Sequence, residues 1–185
     1  MRQVNIDNVQ EAGNSTRLPA GGYVCKITNV EDNDKREYLN IFFDVAYGDF
    51  KGYYAELEKV ANFWGGRYVR SYKETALPFF KRMCSAINKS NPGFVFDGGK
   101  VNSNEQTLVG KYVGLLIGYE EYIGNDGSVK TRPYIDYEMD INDIKAGKFK
   151  IPEEKKLKEE DKPKQAAGTD WMNVSTASED QIPFN

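Results

Sequence analysis

Hydrophobic and polar residues alternate along two segments near the start of the chain, as they do in half-buried β-strands. In the first segment, Tyr23, Cys25 and Ile27 share one face. In the second, residues 38–47, every odd position is apolar and predicts a core face: Leu39, Ile41, Phe43, Val45 and Tyr47. The charged run at 31–36 between the two segments predicts a loop or a turn.

Further along the chain the apolar period becomes helical and then returns to that of strands. Residues 48–59 carry a weaker pattern, which we interpret as a third strand. Residues 75–89 predict a helix, with Pro78 in its first turn and an apolar stripe of Leu77, Phe80, Cys84 and Ile87. Residues 112–123 and 129–141 predict two more strands, joined by a turn at Gly124-Asn125-Asp126-Gly127.

This order of elements predicts a mainly β protein with one helix. Two or three strands, a helix and two more strands is the order of the OB-fold, a five-stranded barrel that binds oligonucleotides. We therefore predict an OB-like domain at residues 19–150, preceded by a polar N-terminal arm at 1–18. Residues 151–185 are polar and rich in charge, and they predict a flexible, disordered tail.

The distribution of charge supports this division. The net charge is −3, yet residues 1–150 carry 20 basic and 20 acidic side chains, while residues 151–185 carry 5 basic and 8 acidic ones. The excess of negative charge therefore belongs to the tail. Because phosphate binding depends on local charge more than on the total, a nucleic-acid partner remains compatible with this composition.

Composition argues against several classes of protein. The chain has no histidine and only two cysteines, Cys25 and Cys84, which argues against a structural zinc site or a disulfide framework. No glycine-rich phosphate-binding motif is present. No apolar run approaches about 18 residues, so we expect no signal peptide and no membrane span. We predict a cytoplasmic, non-enzymatic protein without cofactor or metal.

The segment 59–82 is the strongest indication of a binding site. It carries six basic residues against one acid, Glu74, and six aromatic rings lie among them. Single-stranded nucleic acids need this mixture, because cations neutralise the backbone and aromatic faces stack on bases. The alternative is that the rings form the core and the charges a solvated rim. The predicted DNA-binding residues here are Trp64, Arg67, Tyr68, Arg70, Tyr72 and Lys73.

Two other places extend this predicted site. Tyr38 and Phe42 lie opposite the core face of the second strand and suit base stacking, unless the N-terminal arm or a dimer partner covers that face. Lys130 and Arg132 follow the turn between the last two strands, which in an OB barrel flanks the nucleic-acid groove. The sequence leaves open whether the protein is a monomer or a homo-oligomer.

Three carboxylates suggest a competing function. The two-residue spacing of Asp136, Glu138 and Asp140 predicts that they share one face of a strand. Such a cluster can hold a divalent metal for phosphodiester hydrolysis. An alternating acidic face is more often simply solvated, so a metal-dependent nuclease is the minor alternative.

The end of the chain resembles a known docking peptide. The tip Asp180-Gln181-Ile182-Pro183-Phe184 is similar to the C-terminal peptide of bacterial and phage single-stranded DNA-binding proteins, which ends in acids followed by Ile-Pro-Phe or Leu-Pro-Phe. Parts of the body resemble the phage-type members of this family: Leu18-Pro19-Ala20-Gly21-Gly22-Tyr23, Tyr38-Leu39-Asn40-Ile41 and Leu77-Pro78-Phe79-Phe80. Unlike the usual tip, which ends at Phe, this chain continues to Asn185.

The resemblance implies an OB-fold and sequence-tolerant binding of single-stranded DNA during replication or recombination, without a cofactor. It also implies that Asp180, Ile182, Pro183 and Phe184 dock replication or recombination proteins of the phage or its bacterial host. A different class of function remains open beside it, namely an adaptor of a recombination complex that uses the tip but never contacts DNA.

Overall fold

The computed structural model describes residues 17–62, 64–99, 104–158 and 160. In these ranges the chain forms a five-stranded antiparallel sheet of β1 (Gly21–Asn33), β2 (Tyr38–Val45), β3 (Arg67–Ser71), β4 (Tyr112–Ile123) and β5 (Val129–Met139). Three α-helices accompany it: α1 (Tyr53–Ala61), α2 (Leu77–Ser90) and α3 (Ile141–Lys145). None of these helices has the length and apolar character needed to cross a membrane.

The strands lie in the order β3-β2-β1-β4-β5, so β1 is central and β3 and β5 are the two edges. The long β1 pairs with β2 through residues 25–33 and with β4 through residues 21–26. Its register shifts between Ile27 and Asn29, where a bulge bends the strand. The prediction of a mainly β protein is confirmed, and so are the two predicted strands of the last hairpin.

The core lies between one face of the sheet and helix α2. The predicted inward face of β2 is confirmed for Leu39, Ile41, Phe43 and Val45, which are all buried. Tyr47 is 66% exposed, because β2 ends at Val45. From α2, Phe80, Cys84 and Ile87 are buried as predicted and Met83 joins them, whereas Leu77 at the first turn is 46% exposed.

The strand predicted within residues 48–59 is wrong, because this segment contains helix α1. Its start is fixed by Asp44, whose carboxylate accepts hydrogen bonds from the backbone N–H of Tyr54 at 2.9 Å and of Ala55 at 3.3 Å. The Tyr54 ring then packs edge-on against Phe43, with 5.2 Å between centroids. These bonds come from an acid ten and eleven residues away, so no local pattern in the sequence reveals the start of the helix.

Both ends of the domain extend beyond the predicted limits. Leu18, assigned to the N-terminal arm, is buried in the core and its carbonyl accepts a hydrogen bond from the Tyr119 hydroxyl. Lys155, assigned to the tail, pairs with β4: its carbonyl accepts from Glu121 N at 2.8 Å and its N–H donates to Tyr119 O at 2.9 Å. The docking tip, residues 180–185, lies outside the described residues.

Candidate nucleic-acid interface

The face of β1, β2 and β3 that points away from the core forms a polar and aromatic surface, which we call the outer face. Cross-strand pairing arranges it in three rows of three residues, one from each strand. All nine side chains are exposed or half-buried: Asn29, Phe42 and Arg67; Glu31, Asn40 and Val69; Asn33, Tyr38 and Ser71.

Two aromatic rings stand on the middle strand of the outer face. Tyr38 and Phe42 are both half-buried and lie on the same side of β2, four residues and therefore about 13 Å apart. The Tyr38 hydroxyl accepts a hydrogen bond from Asn33 Nδ2 at 3.2 Å, which fixes its position. The amide of Asn40 lies between the rings, so the strand offers two stacking surfaces and a polar group in one line.

Arg67 supplies positive charge beside these rings. It lies directly opposite Phe42 in the β2–β3 pair and its side chain is exposed. Within the ranges that the structure covers, Arg67 forms no ion pair, and Lys73 just beyond β3 forms none either. The structure therefore brings together Tyr38, Phe42 and Arg67 from the predicted site, with Lys73 nearby in sequence.

Tyr68 belongs to the core and not to the interface. Its side chain is only 7% exposed, and its ring packs 5.8 Å from that of Phe43. Burial raises the pKa of its hydroxyl well above the usual value, and the nearby Glu138 carboxylate adds to this shift. Because Tyr68 alternates with the outward Arg67 and Val69, a base cannot reach it, and we no longer assign it to DNA binding.

Arg70 also points inward, where it takes part in a buried ion cluster. Its Nε donates to one carboxylate oxygen of Glu138, and Arg82 Nε donates to the other at 3.3 Å. The Glu138 side chain has no exposed surface, while those of Arg70 and Arg82 are 17% and 25% exposed. Arg70 therefore points away from the outer face and shares a buried carboxylate with Arg82, which removes Arg70 from the predicted phosphate contacts of the outer face.

Trp64 and Tyr72 are held by contacts within the protein. Trp64 is half-buried against Tyr54, and its Nε1–H donates to the carbonyl of Gly66 at 2.9 Å. The Tyr72 hydroxyl donates to Asp32 Oδ1 at 2.9 Å, and partial burial together with this bond raises the pKa of Tyr72 to about 12. These contacts give both rings a structural role, so neither is retained as a principal stacking residue.

The two predicted loop cations, Lys130 and Arg132, each form an ion pair with a carboxylate of the same hairpin. Lys130 pairs with Asp126 at 2.9 Å, and the hydrogen bonds from Lys130 and then Ser128 lower the pKa of Asp126 to about 2. Arg132 pairs with Glu120 at 2.8 Å. Both lie on the β4–β5 hairpin, which pairs with neither β2 nor β3. Pairing therefore does not bring Lys130 or Arg132 onto the outer face.

The three carboxylates of the nuclease alternative do not form one exposed cluster. Glu138 is buried between two arginines, and Asp140 caps helix α3 by accepting from Asn142 N at 2.9 Å. Asp136 lies where the β4–β5 register shifts and approaches Lys155 at 3.8 Å. Among the residues that the structure describes, no group of three or more acidic or cysteine side chains could hold a metal ion.

The two thiols are also unsuited to chemistry. Cys25 and Cys84 are both buried and unpaired, as the strand and helix patterns predict. Burial raises the pKa of Cys84 to about 11 and that of Cys25 well above its usual value. Because the thiolate is the reactive form, neither residue is a nucleophile at neutral pH.

Of the nine outer-face residues, the sequence analysis predicts only Tyr38, Phe42 and Arg67 as DNA-binding. Val69 is among those it missed, and it assigns neither of two exposed rings elsewhere to a site. Val69 is 44% exposed in the middle row, and a period-two interpretation of residues 67–71 would have placed it beside Arg67. Phe79 and Tyr137 are 54% and 44% exposed. Phe79 is one of the six rings of segment 59–82, but nothing in the sequence connects it with Tyr137, because a helix and a strand far apart in the chain bring the two rings near one arginine.

No protein-family model matches the chain, and a search of the curated proteins gives no match either. We therefore infer its function from the residues of the outer face and their surroundings.

Proposed function

We propose that this protein binds single-stranded DNA without sequence preference, as a non-enzymatic component of DNA replication or recombination. The observation that carries the proposal is the pair of outward rings on β2, Tyr38 and Phe42, with Arg67 next to Phe42, an exposed cation that forms no ion pair with any residue the structure describes. Every base has a π-face, so stacking on such rings tolerates any sequence. A duplex hides its bases, so the same surface favours single strands.

The topology supports placing this site on an OB-like barrel. The order β3-β2-β1-β4-β5 leaves β3 and β5 as edges, and the shared carboxylate of Glu138 links Arg70 on β3 to β5. Helix α2 lies between β3 and β4 in the chain, where an OB-fold has its helix. Barrels of this kind bind oligonucleotides on the face of strands 2 and 3, which corresponds to the outer face here.

A titration with labelled oligo-dT and a matched duplex, each at two salt concentrations, tests the proposal. We expect the single strand to bind more tightly than the duplex and to weaken as salt rises, because counterions are released from each neutralised phosphate. A matched oligo-rU strand reports any preference between DNA and RNA. Failure to bind either strand at low salt would overturn the proposal and favour the adaptor that contacts proteins only.

We further propose that the tip recruits replication or recombination proteins. The apolar Ile182-Pro183-Phe184 segment can fill a partner's pocket, and the nearby Asp180 can meet a basic residue there. Removing residues 180–185 is expected to abolish capture of such partners and to leave DNA affinity equal or slightly tighter, since the lost residues include one acid, Asp180, and no basic residue. Loss of DNA binding by this truncated protein would contradict the separation of the two roles.

A further inference from the structure

Two exposed aromatic rings flank one arginine beside the gap between β3 and β5. Arg82 Cζ lies 4.0 Å from the centre of the Tyr137 ring and 5.4 Å from that of Phe79. Phe79 is 54% exposed and Tyr137 is 44% exposed. We call these three residues the Phe79–Arg82–Tyr137 patch. It joins helix α2 to the edge strand β5, on the far side of β3 from Tyr38 and Phe42.

The patch carries a surplus of positive charge. Glu138 is the carboxylate that Arg82 contacts, and Arg70 contacts the same carboxylate. One negative charge therefore faces two positive charges, and the cluster has a net charge of about +1 when all three groups are ionised. Both guanidinium groups keep part of their surface in solvent, so an anion can approach the surplus charge.

Two contacts orient the Arg82 guanidinium, and they use only some of its N–H donors. Its Nε donates to Glu138 Oε2 at 3.3 Å, and one Nη2 hydrogen points to the Asp136 carbonyl at 3.5 Å. A guanidinium has five N–H donors, so three have no acceptor among the residues that the structure describes. A planar cation with free donors close to two exposed aromatic rings is suited to a phosphate and the adjoining base, because phosphate oxygens accept those bonds and bases stack on rings.

We propose that the Phe79–Arg82–Tyr137 patch is a second binding site for single-stranded nucleic acid, reached by a strand that leaves the outer face across β3. This inference rests on the proposed function. Arg70 lies on edge strand β3 and shares Glu138 with Arg82, which places the patch beside β3.

The surplus positive charge favours nucleic acid over an apolar protein surface as the occupant of the patch. Exposed rings and the 46% exposed Leu77 would also suit an apolar protein surface. Such a surface would bury the surplus positive charge of the arginine pair without an anion to match it, which is costly. The phosphate of a nucleic acid supplies that anion, so the patch fits a strand better than it fits an apolar protein segment.

Replacement of the two exposed rings by leucine tests the proposal, because leucine keeps apolar bulk but removes the π-face. The variants are Phe79→Leu, Tyr137→Leu and the double replacement, with Tyr112→Leu as the matched control, since Tyr112 is 40% exposed on β4. Affinity is measured for oligo-dT of about 6 and about 25 nucleotides, because single OB folds cover roughly 4–16 nucleotides. Thermal unfolding shows that each variant is folded.

We expect the double variant to bind the long strand at least about tenfold more weakly and the short strand as the wild type does, since one base stack accounts for a factor of roughly ten. The Tyr112 control should behave as the wild type. Unchanged binding of the long strand, or loss of protein capture alone, would overturn the second site and leave the outer face intact. If the wild type binds neither strand, the proposed function itself fails.

Discussion

Replacing Glu138 with glutamine is expected to lower the free energy of unfolding by roughly 3 kcal/mol, the largest loss of stability that we predict for a single substitution. Glu138 is the buried carboxylate that Arg70 and Arg82 share, and its side chain is fully enclosed. Glutamine has nearly the same size, so it leaves no cavity. It does leave two partly buried guanidinium groups without their only shared counter-charge.

The position of this cluster explains why the effect should be global. Arg70 comes from edge strand β3, Glu138 from edge strand β5 and Arg82 from helix α2. The sheet order provides no backbone hydrogen bonds between β3 and β5, so this carboxylate joins the two edges through side chains. Loss of this carboxylate therefore weakens both the contact between β3 and β5 and the attachment of helix α2.

Urea unfolding of Glu138→Gln and the wild type measures the loss, with Asp136→Asn as the matched control. Asp136 lies two residues away on the same strand, is exposed, and has only a 3.8 Å approach to Lys155. Its replacement should change stability by no more than about 0.5 kcal/mol. An equal urea midpoint for Glu138→Gln and the wild type would contradict a stabilising role for the cluster.

A further comparison separates the free-energy cost of leaving buried charges unpaired from the net stabilisation that the ion pairs provide. The triple variant Arg70→Met, Arg82→Met and Glu138→Leu removes all three charges and keeps apolar bulk. Replacing a buried ion cluster by packed hydrophobic residues is often neutral or stabilising. We therefore expect the triple variant to be clearly more stable than Glu138→Gln, although Met at position 82 removes the cation from the patch and should weaken long-strand binding.

The contrast between β2 and β3 shows when the inward face of a strand can be predicted from the sequence. On β2 the odd positions are aliphatic or aromatic and the even positions include Asn40 and Asp44, so hydrophobicity alone identifies the inward face. On β3 the inward residues are Tyr68 and Arg70. Because a tyrosine and an arginine both look like surface residues of a DNA-binding protein, hydrophobicity marks neither this strand nor its inward face, and the sequence analysis predicts no strand at residues 67–71.

Ion pairs with carboxylates from other strands account for the revisions of Arg70 and Arg132. Arg70 and Glu138 are 68 positions apart in the chain, so the sequence shows a basic segment and an acidic strand where the fold has one cluster. The same holds, at shorter range, for Arg132 and Glu120. Arg70 and Arg82 share one carboxylate, so a count of local charge in segment 59–82 overestimates the net positive charge there by one.

The largest loss of DNA affinity is expected when both rings of the outer face are removed. Alanine substitution of a stacking ring costs about 1–3 kcal/mol per base. Tyr38→Ala or Phe42→Ala should therefore weaken oligo-dT binding about tenfold or more, and the double variant should lose roughly the product of the two factors. The rings are about 13 Å apart along β2, which is far enough for additive effects.

Salt dependence distinguishes stacking from charge on this face. The double variant should keep the wild-type slope of log affinity against log salt, because neither ring neutralises a phosphate. Arg67→Gln should reduce that slope by about one, since it removes one phosphate contact. Tyr47→Ala is the control, because Tyr47 is 66% exposed but lies beyond the end of β2. Equal losses for Tyr47→Ala and the double variant would mean that the outer face has no special part in binding, whereas a loss confined to Tyr38 and Phe42 would locate the stacked bases on β2.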